Sequence, residues 1–179
     1  MRTISVTASV AALAAALLLT SCDDARDAKN TQDKADTTAG AGCAADLAVR
    51  FGPANAAPAA GDTGNVPVTV TNRGDAPCTV EGLPGVELVA GDTTAAVPAA
   101  EAASGGKATF AKDASLAFTL TYVRGEEGAE TSLAARTATV RLPGAEKTHS
   151  FKWAYGDIAL KSDGSTPDAS VTGFQQSTD

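Results

Sequence analysis

The chain has 179 residues, 44% of them hydrophobic but only 4% aromatic, and a formal net charge of −7. That length holds one ordinary domain plus extra segments rather than two full domains, and a core of Ala, Val and Leu is thin per residue and gains from a covalent staple. The acidic balance argues against nucleic acid as a partner, because phosphate binding needs a surplus of Lys and Arg, and it argues against charge as the force holding the chain to an anionic membrane.

Residues 1–21 have the three parts of a secretory signal peptide. Arg2 supplies a short positive start, and Ile4 to Leu19 is almost wholly apolar. That run is 16 residues long, short of the roughly 20 needed to span a bilayer core. Thr20 and Ser21 close it, and Asp23 and Asp24 then invert its character. Leu19-Thr20-Ser21-Cys22 resembles the lipobox of bacterial lipoproteins: an aliphatic residue, two small ones, then Cys. The resemblance implies cleavage before Cys22, a diacylglyceryl group on its thiol, and often an acyl group on the new amine. One acyl chain binds a membrane marginally, whereas two or three anchor durably, at about 0.8 kcal/mol per buried CH₂. Loss of Arg2 with the leader takes the mature chain to −8.

Residues 22–42 then carry the lipidated Cys22 and a tether. From Asp23 to Gly42 there is no aliphatic residue larger than Ala and no aromatic. Such a stretch cannot bury enough apolar surface to offset its ordering entropy, so it is expected to be disordered. A coil of this length spans about 25 Å, enough to lift a domain off the headgroups.

Order is expected from Cys43. Leu47, Val49 and Phe51 alternate with polar or small residues, as in a half-buried strand. Val66, Val68 and Val70 alternate with Thr69 and Thr71 until the turn chemistry of Asn72 to Asp75, and Pro67 points to an edge or a strand start. Val86 to Val89 follows, ended by Gly91-Asp92. Leu116 to Tyr122 is the strongest strand, and Ala138, Val140 and Leu142 make another before Pro143-Gly144. Phe151, Trp153 and Tyr155 share one parity, and Ile158 to Leu160 is a weak last candidate. Nothing after Gly42 has a helical period. About seven short strands with frequent turns predict an all-β, antiparallel, immunoglobulin-like sandwich over residues 43–161, with a small closed barrel as the alternative and a polar tail over 162–179.

Of the 3 Cys, lipidation of Cys22 leaves Cys43 and Cys78 as an even pair in a secreted chain, and one disulfide is the simplest outcome. A redox or metal-binding pair lacks a CxxC motif and partner ligands.

Pro77-Cys78-Thr79-Val80-Glu81-Gly82-Leu83-Pro84-Gly85 resembles the signature of an uncharacterised family of extracytoplasmic lipoprotein domains. That family, a "domain of unknown function" common in high-GC Gram-positive bacteria, typically shows Pro-Cys-Thr-Leu-x-Gly-aromatic-Pro-Gly. Cys43 and Asn72 stand where the family has its first Cys and its strand-ending Asn, and the resemblance covers most of Cys43 to Leu160. Val80 and Leu83 replace the usual Leu and aromatic, and a second Cys pair frequent in the family is missing, with Ala134 to Thr137 where one member would sit. The resemblance implies fold and location and no mechanism.

Candidate chemistry is sparse. A nucleophile triad would have to use His149, the single His, which has no G-x-S-x-G cue and reads as a strand-end imidazole. No metal and no cofactor are expected, for want of ligands and of phosphate-cradling loops. Glu126, Glu127 and Glu130 cluster after the strongest strand, with Asp113 before it. They offer weak Ca²⁺ ligands or a carboxylate pair for glycoside chemistry, against the plainer reading of a solvated loop. Trp153 and Tyr155 read as core rather than as a sugar-stacking platform. The sequence therefore predicts a non-enzymatic binding or scaffolding lipoprotein contacting an envelope protein or cell-wall polymer. The alternative is an envelope carbohydrate hydrolase using the loop carboxylates.

Overall fold

A computed structural model of the chain describes residues 42–177. The expected signal peptide, the lipidation site Cys22 and the tether up to residue 41 lie outside the described residues.

Among the described residues the one helical segment is a 3₁₀ turn, Cys43–Asp46. The remaining elements are strands. β1 (Leu47–Phe51), β2 (Thr63–Asn72), β3 (Cys78–Glu81), β4 (Gly85–Ala90) and β5 (Thr93–Ala96) come first. β6 (Lys107–Phe110), β7 (Ser115–Val123), β8 (Ser132–Leu133) and β9 (Thr137–Arg141) follow. β10 (Thr148–Lys152), β11 (Ile158–Ala159), β12 (Ala169–Val171) and β13 (Gln175–Gln176) complete the set. The protein is all-β, and every strand pair in its sheets is antiparallel.

One sheet has the order β1-β2-β7-β12, with β13 also paired to β7; the other has the order β10-β9-β4-β5. Alternation explains how they pack. Val66, Val68 and Val70 of β2 stand opposite Leu120, Phe118 and Leu116 of β7, and all six are buried. Val86 and Leu88 of β4 stand opposite Val140 and Ala138 of β9, again buried. Thr69 and Thr71 of β2 and Ser115, Thr119 and Thr121 of β7 take intervening outward positions. A strand turns alternate side chains to opposite faces, so each sheet has one apolar face, and the two faces share one core between them. Each fully buried Val, Leu or Phe contributes about 1.5–3 kcal/mol. Of the twelve largest fully buried side chains only Tyr122 and Phe118 are aromatic, so aliphatic burial carries the sandwich.

Three features differ from the sequence expectation. The domain does not stop at residue 161: β12 and β13, inside the supposed polar tail, pair with β7 at Ala169↔Tyr122 and Gln175↔Ala117. Their side chains have too little apolar period to announce a strand, and a free place beside β7 supplies what the residues lack.

Pro67 is neither at an edge nor at a strand start. It sits within β2, opposite Thr119 of β7. Its carbonyl accepts from Gly52 N–H at 2.8 Å, so its nitrogen faces the same side, just beyond the end of β1, and the missing N–H costs the ladder with β7 nothing.

The aromatic run after His149 leaves the strand early. β10 ends at Lys152, and Trp153 and Tyr155 lie on irregular chain that folds over Tyr122.

Candidate functional site

The two ends of the sandwich differ in content. The described chain enters at Gly42, and the 3₁₀ turn is held to the Asn72 end of β2 by Arg73 N–H donating to Asp46 C=O at 3.0 Å. The Cys43–Cys78 disulfide fastens the same end, joining the turn to β3 with Cα atoms 5.6 Å apart. Asn72 is buried there with every side-chain group engaged. Its amide donates to Ala76 C=O at 2.8 Å and Phe110 C=O at 3.3 Å, and its carbonyl accepts from Gly74 N–H at 2.9 Å. One side chain thus ties the turn after β2 to the end of β6.

The acidic loop is at the opposite end. Glu126, Glu127 and Glu130 follow β7, all exposed. Asp113 precedes β7, at the Asn72 end, and pairs with Arg73 at 3.0 Å. A nine-residue strand separates Asp113 from the glutamates by about 30 Å, whereas a glycosidase pair stands about 5–9.5 Å apart. Asp113 and the glutamates therefore form no catalytic pair. Among the described residues no group of three or more His, Cys, Asp or Glu is disposed to hold a metal ion.

A buried acid does stand beside this loop: Asp157, which the sequence did not single out. Its Oδ2 accepts from Gly128 N–H at 3.0 Å and its Oδ1 meets Arg136 Nη1 at 3.5 Å. Its backbone carbonyl accepts from Gly125 N–H at 2.9 Å. Both oxygens are engaged in holding the loop and its neighbour Arg136, so Asp157 positions the glutamates without presenting a free oxygen. Gly125 is required for this turn, since a side chain there would collide with Ser132 and with the backbone of Ala159.

His149 lies on β10 opposite Val140, half-buried. Burial first, and the nearby Lys147 charge second, hold its imidazole below the usual value. No Ser, Cys or carboxylate hydrogen-bonds to it among the described residues.

Trp153 is 4% exposed and donates Nε1–H to Gly156 C=O at 2.7 Å. Its ring stands edge-on to Tyr122 and to Tyr155, with centroids 5.0 Å away in each case. It is a core residue, packed there by the chain beyond β10 rather than by strand parity, and offers no open face to a sugar. Phe51 and Phe151 pack at 4.1 Å and join the edge strands β1 and β10.

A stapled antiparallel sandwich, an Asn keystone and a solvated acid loop describe an extended-surface β domain. Residues 43–175 match the family "Domain of unknown function (DUF4232)", and the chain belongs to that family. No curated protein and no solved structure matches the chain. Among the described residues no helix is long and apolar enough to cross a membrane.

Proposed function

We propose that this chain is a lipoprotein, anchored outside the cytoplasm through acyl chains on Cys22, that serves as a non-enzymatic binding or scaffolding module of the cell envelope. The observation that carries the reading is the order of features at its start: a 16-residue apolar run, Leu19-Thr20-Ser21-Cys22, and a polar tether that ends where the stapled domain begins. A disulfide between Cys43 and Cys78 suits an oxidising compartment.

The anchored geometry follows. A tether joined at Gly42 attaches at the disulfide and Asn72 end of the domain, with the Glu126–Glu127–Glu130 loop at the other end. The sheet faces and the outer loops are then open to an envelope protein or a cell-wall polymer. The net charge of −8 after loss of Arg2 keeps the mature chain off an anionic bilayer surface and off nucleic acid.

Crosslinking in intact cells tests this reading. A photoreactive group at Glu127 is expected to capture an envelope component, and the same group at Lys112, near the tethered end, to capture less. Release of a turned-over substrate by the purified chain, lost in Glu126→Gln, would replace the binding reading with a hydrolytic one.

A further inference from the structure

β5 is the outer strand of the second sheet, and its free side is open. Hydrogen-bonded pairs alternate along an antiparallel ladder. Val97 N–H donates to Val86 C=O at 2.9 Å, so Ala95 and Thr93 share that phase and face β4. Thr94 and Ala96 therefore turn their N–H and C=O groups away from the sheet, and both residues are exposed. Neither finds a hydrogen-bond partner there among the described residues.

Three other outer strands, β1, β10 and β12, are protected in ways β5 is not. β1 carries Arg50, and β10 carries Lys152. The outer side of β12 is covered by residues 98–100, through Val171 N–H to Pro98 C=O at 3.0 Å and Ala100 N–H to Val171 C=O at 2.8 Å. β5 reads Thr-Thr-Ala-Ala, with no charge, no proline and no cover. Such an edge is a template for another strand.

Beside it lies a slot of about 530 Å³, lined by β5, by Leu133, Leu160 and Pro167, and by residues 164–166. No lining residue is charged, although the chain has 14 Lys and Arg and 21 Asp and Glu.

We propose that β5 and this slot dock a neutral, extended peptide segment of an envelope protein, which adds to the second sheet as a further strand through Thr94 and Ala96. The inference rests on the binding-module reading and names its partner class. Two outward residues offer two donors and two acceptors, which fix the backbone of a strand irrespective of its sequence. The uncharged slot selects the side chains: an apolar one gains burial against Leu133 and Leu160, whereas a charged one loses water and gains no partner. A second copy is disfavoured as occupant, because two mature chains of net charge −8 repel each other.

The test is a titration of the isotope-labelled full chain in detergent with acetyl-Thr-Val-Thr-Val-Thr-amide, read by amide shifts and hydrogen exchange. Saturable shifts are expected at Thr94 and Ala96, with their exchange slowed tenfold or more. Methylating alternate peptide nitrogens in one phase is expected to abolish binding and in the other phase to spare it. Thr94→Lys is expected to raise Kd at least tenfold. Ala96→Pro, which removes only an outward N–H, should do the same while the amide shifts of β7 stay in place. Absence of saturable change at millimolar peptide overturns the proposal, as does equal binding of both methylated peptides. Protection that follows protein concentration without peptide also overturns it, in favour of self-pairing. None of these results bears on the anchored-binder reading, which the crosslinks in cells decide separately.

Discussion

Gly64 stands directly opposite Tyr122 in the β2–β7 ladder, and the phenol ring fills the space that a side chain at Gly64 would need. The ring is fully buried, and its hydroxyl both accepts from Ala57 N–H at 3.2 Å and donates to Tyr155 C=O at 3.3 Å. Glycine at one position and tyrosine at the other are therefore one packing decision. Gly64→Ala is expected to destabilise the fold by about 1–3 kcal/mol through overpacking, measured by denaturant unfolding. A variant as stable as wild type would mean that the ring moves aside freely.

Asn72 gives a second stability prediction. Asn72→Ala leaves two carbonyls and one N–H without their partner at a buried site, which is expected to cost about 2–4 kcal/mol. Asn72→Asp keeps the acceptor for Gly74 but loses both donors, so it should rescue little. Equal stability of Asn72→Asp and wild type would show that the two donated bonds contribute nothing.

The β strands that were legible in the sequence, β2, β4, β7 and β9, carry Val, Leu or Phe at alternate positions, where burial of one face dictates the structure. β5 and β12 were not legible. Thr93 to Ala96 has no large apolar residue and Ala169 to Val171 is three residues long, so both are strands because a neighbouring strand offers them a ladder. The Cys43–Cys78 staple was legible from cysteine parity once Cys22 was set aside for the lipobox. Asp157 was not, because its importance arises from Gly128 and Arg136, 29 and 21 residues away in sequence.

His149 makes stability depend on pH. Its pKa is held below the ordinary imidazole value of 6.5 by burial and by Lys147, so the unfolded chain takes up a proton more readily than the folded one. Stability from this group is present above about pH 6.5, falls as pH drops through that value, and levels off below the folded-state pKa. His149→Gln is expected to flatten that part of the stability–pH curve, measured by unfolding at several pH values. An unchanged curve would place the slope elsewhere.

Reduction of the disulfide should loosen the Asn72 end of the domain. Closing a loop of 35 residues stabilises by roughly 4 kcal/mol, so Cys43→Ser or Cys78→Ser is expected to lose a stability of that order. Both thiols should resist alkylation in denatured, unreduced protein and react after reduction. Free thiols in protein taken from the envelope would contradict the staple as the working state.

The most direct test of the anchored-lipoprotein account is detergent-phase partitioning of the wild type and Cys22→Ala, each with its mass determined. The account predicts that the wild type enters the detergent phase as a chain beginning at an acylated Cys22, and that Cys22→Ala is either uncleaved or shed. A Cys22→Ala protein that still fractionates as a processed, membrane-bound lipoprotein would contradict it.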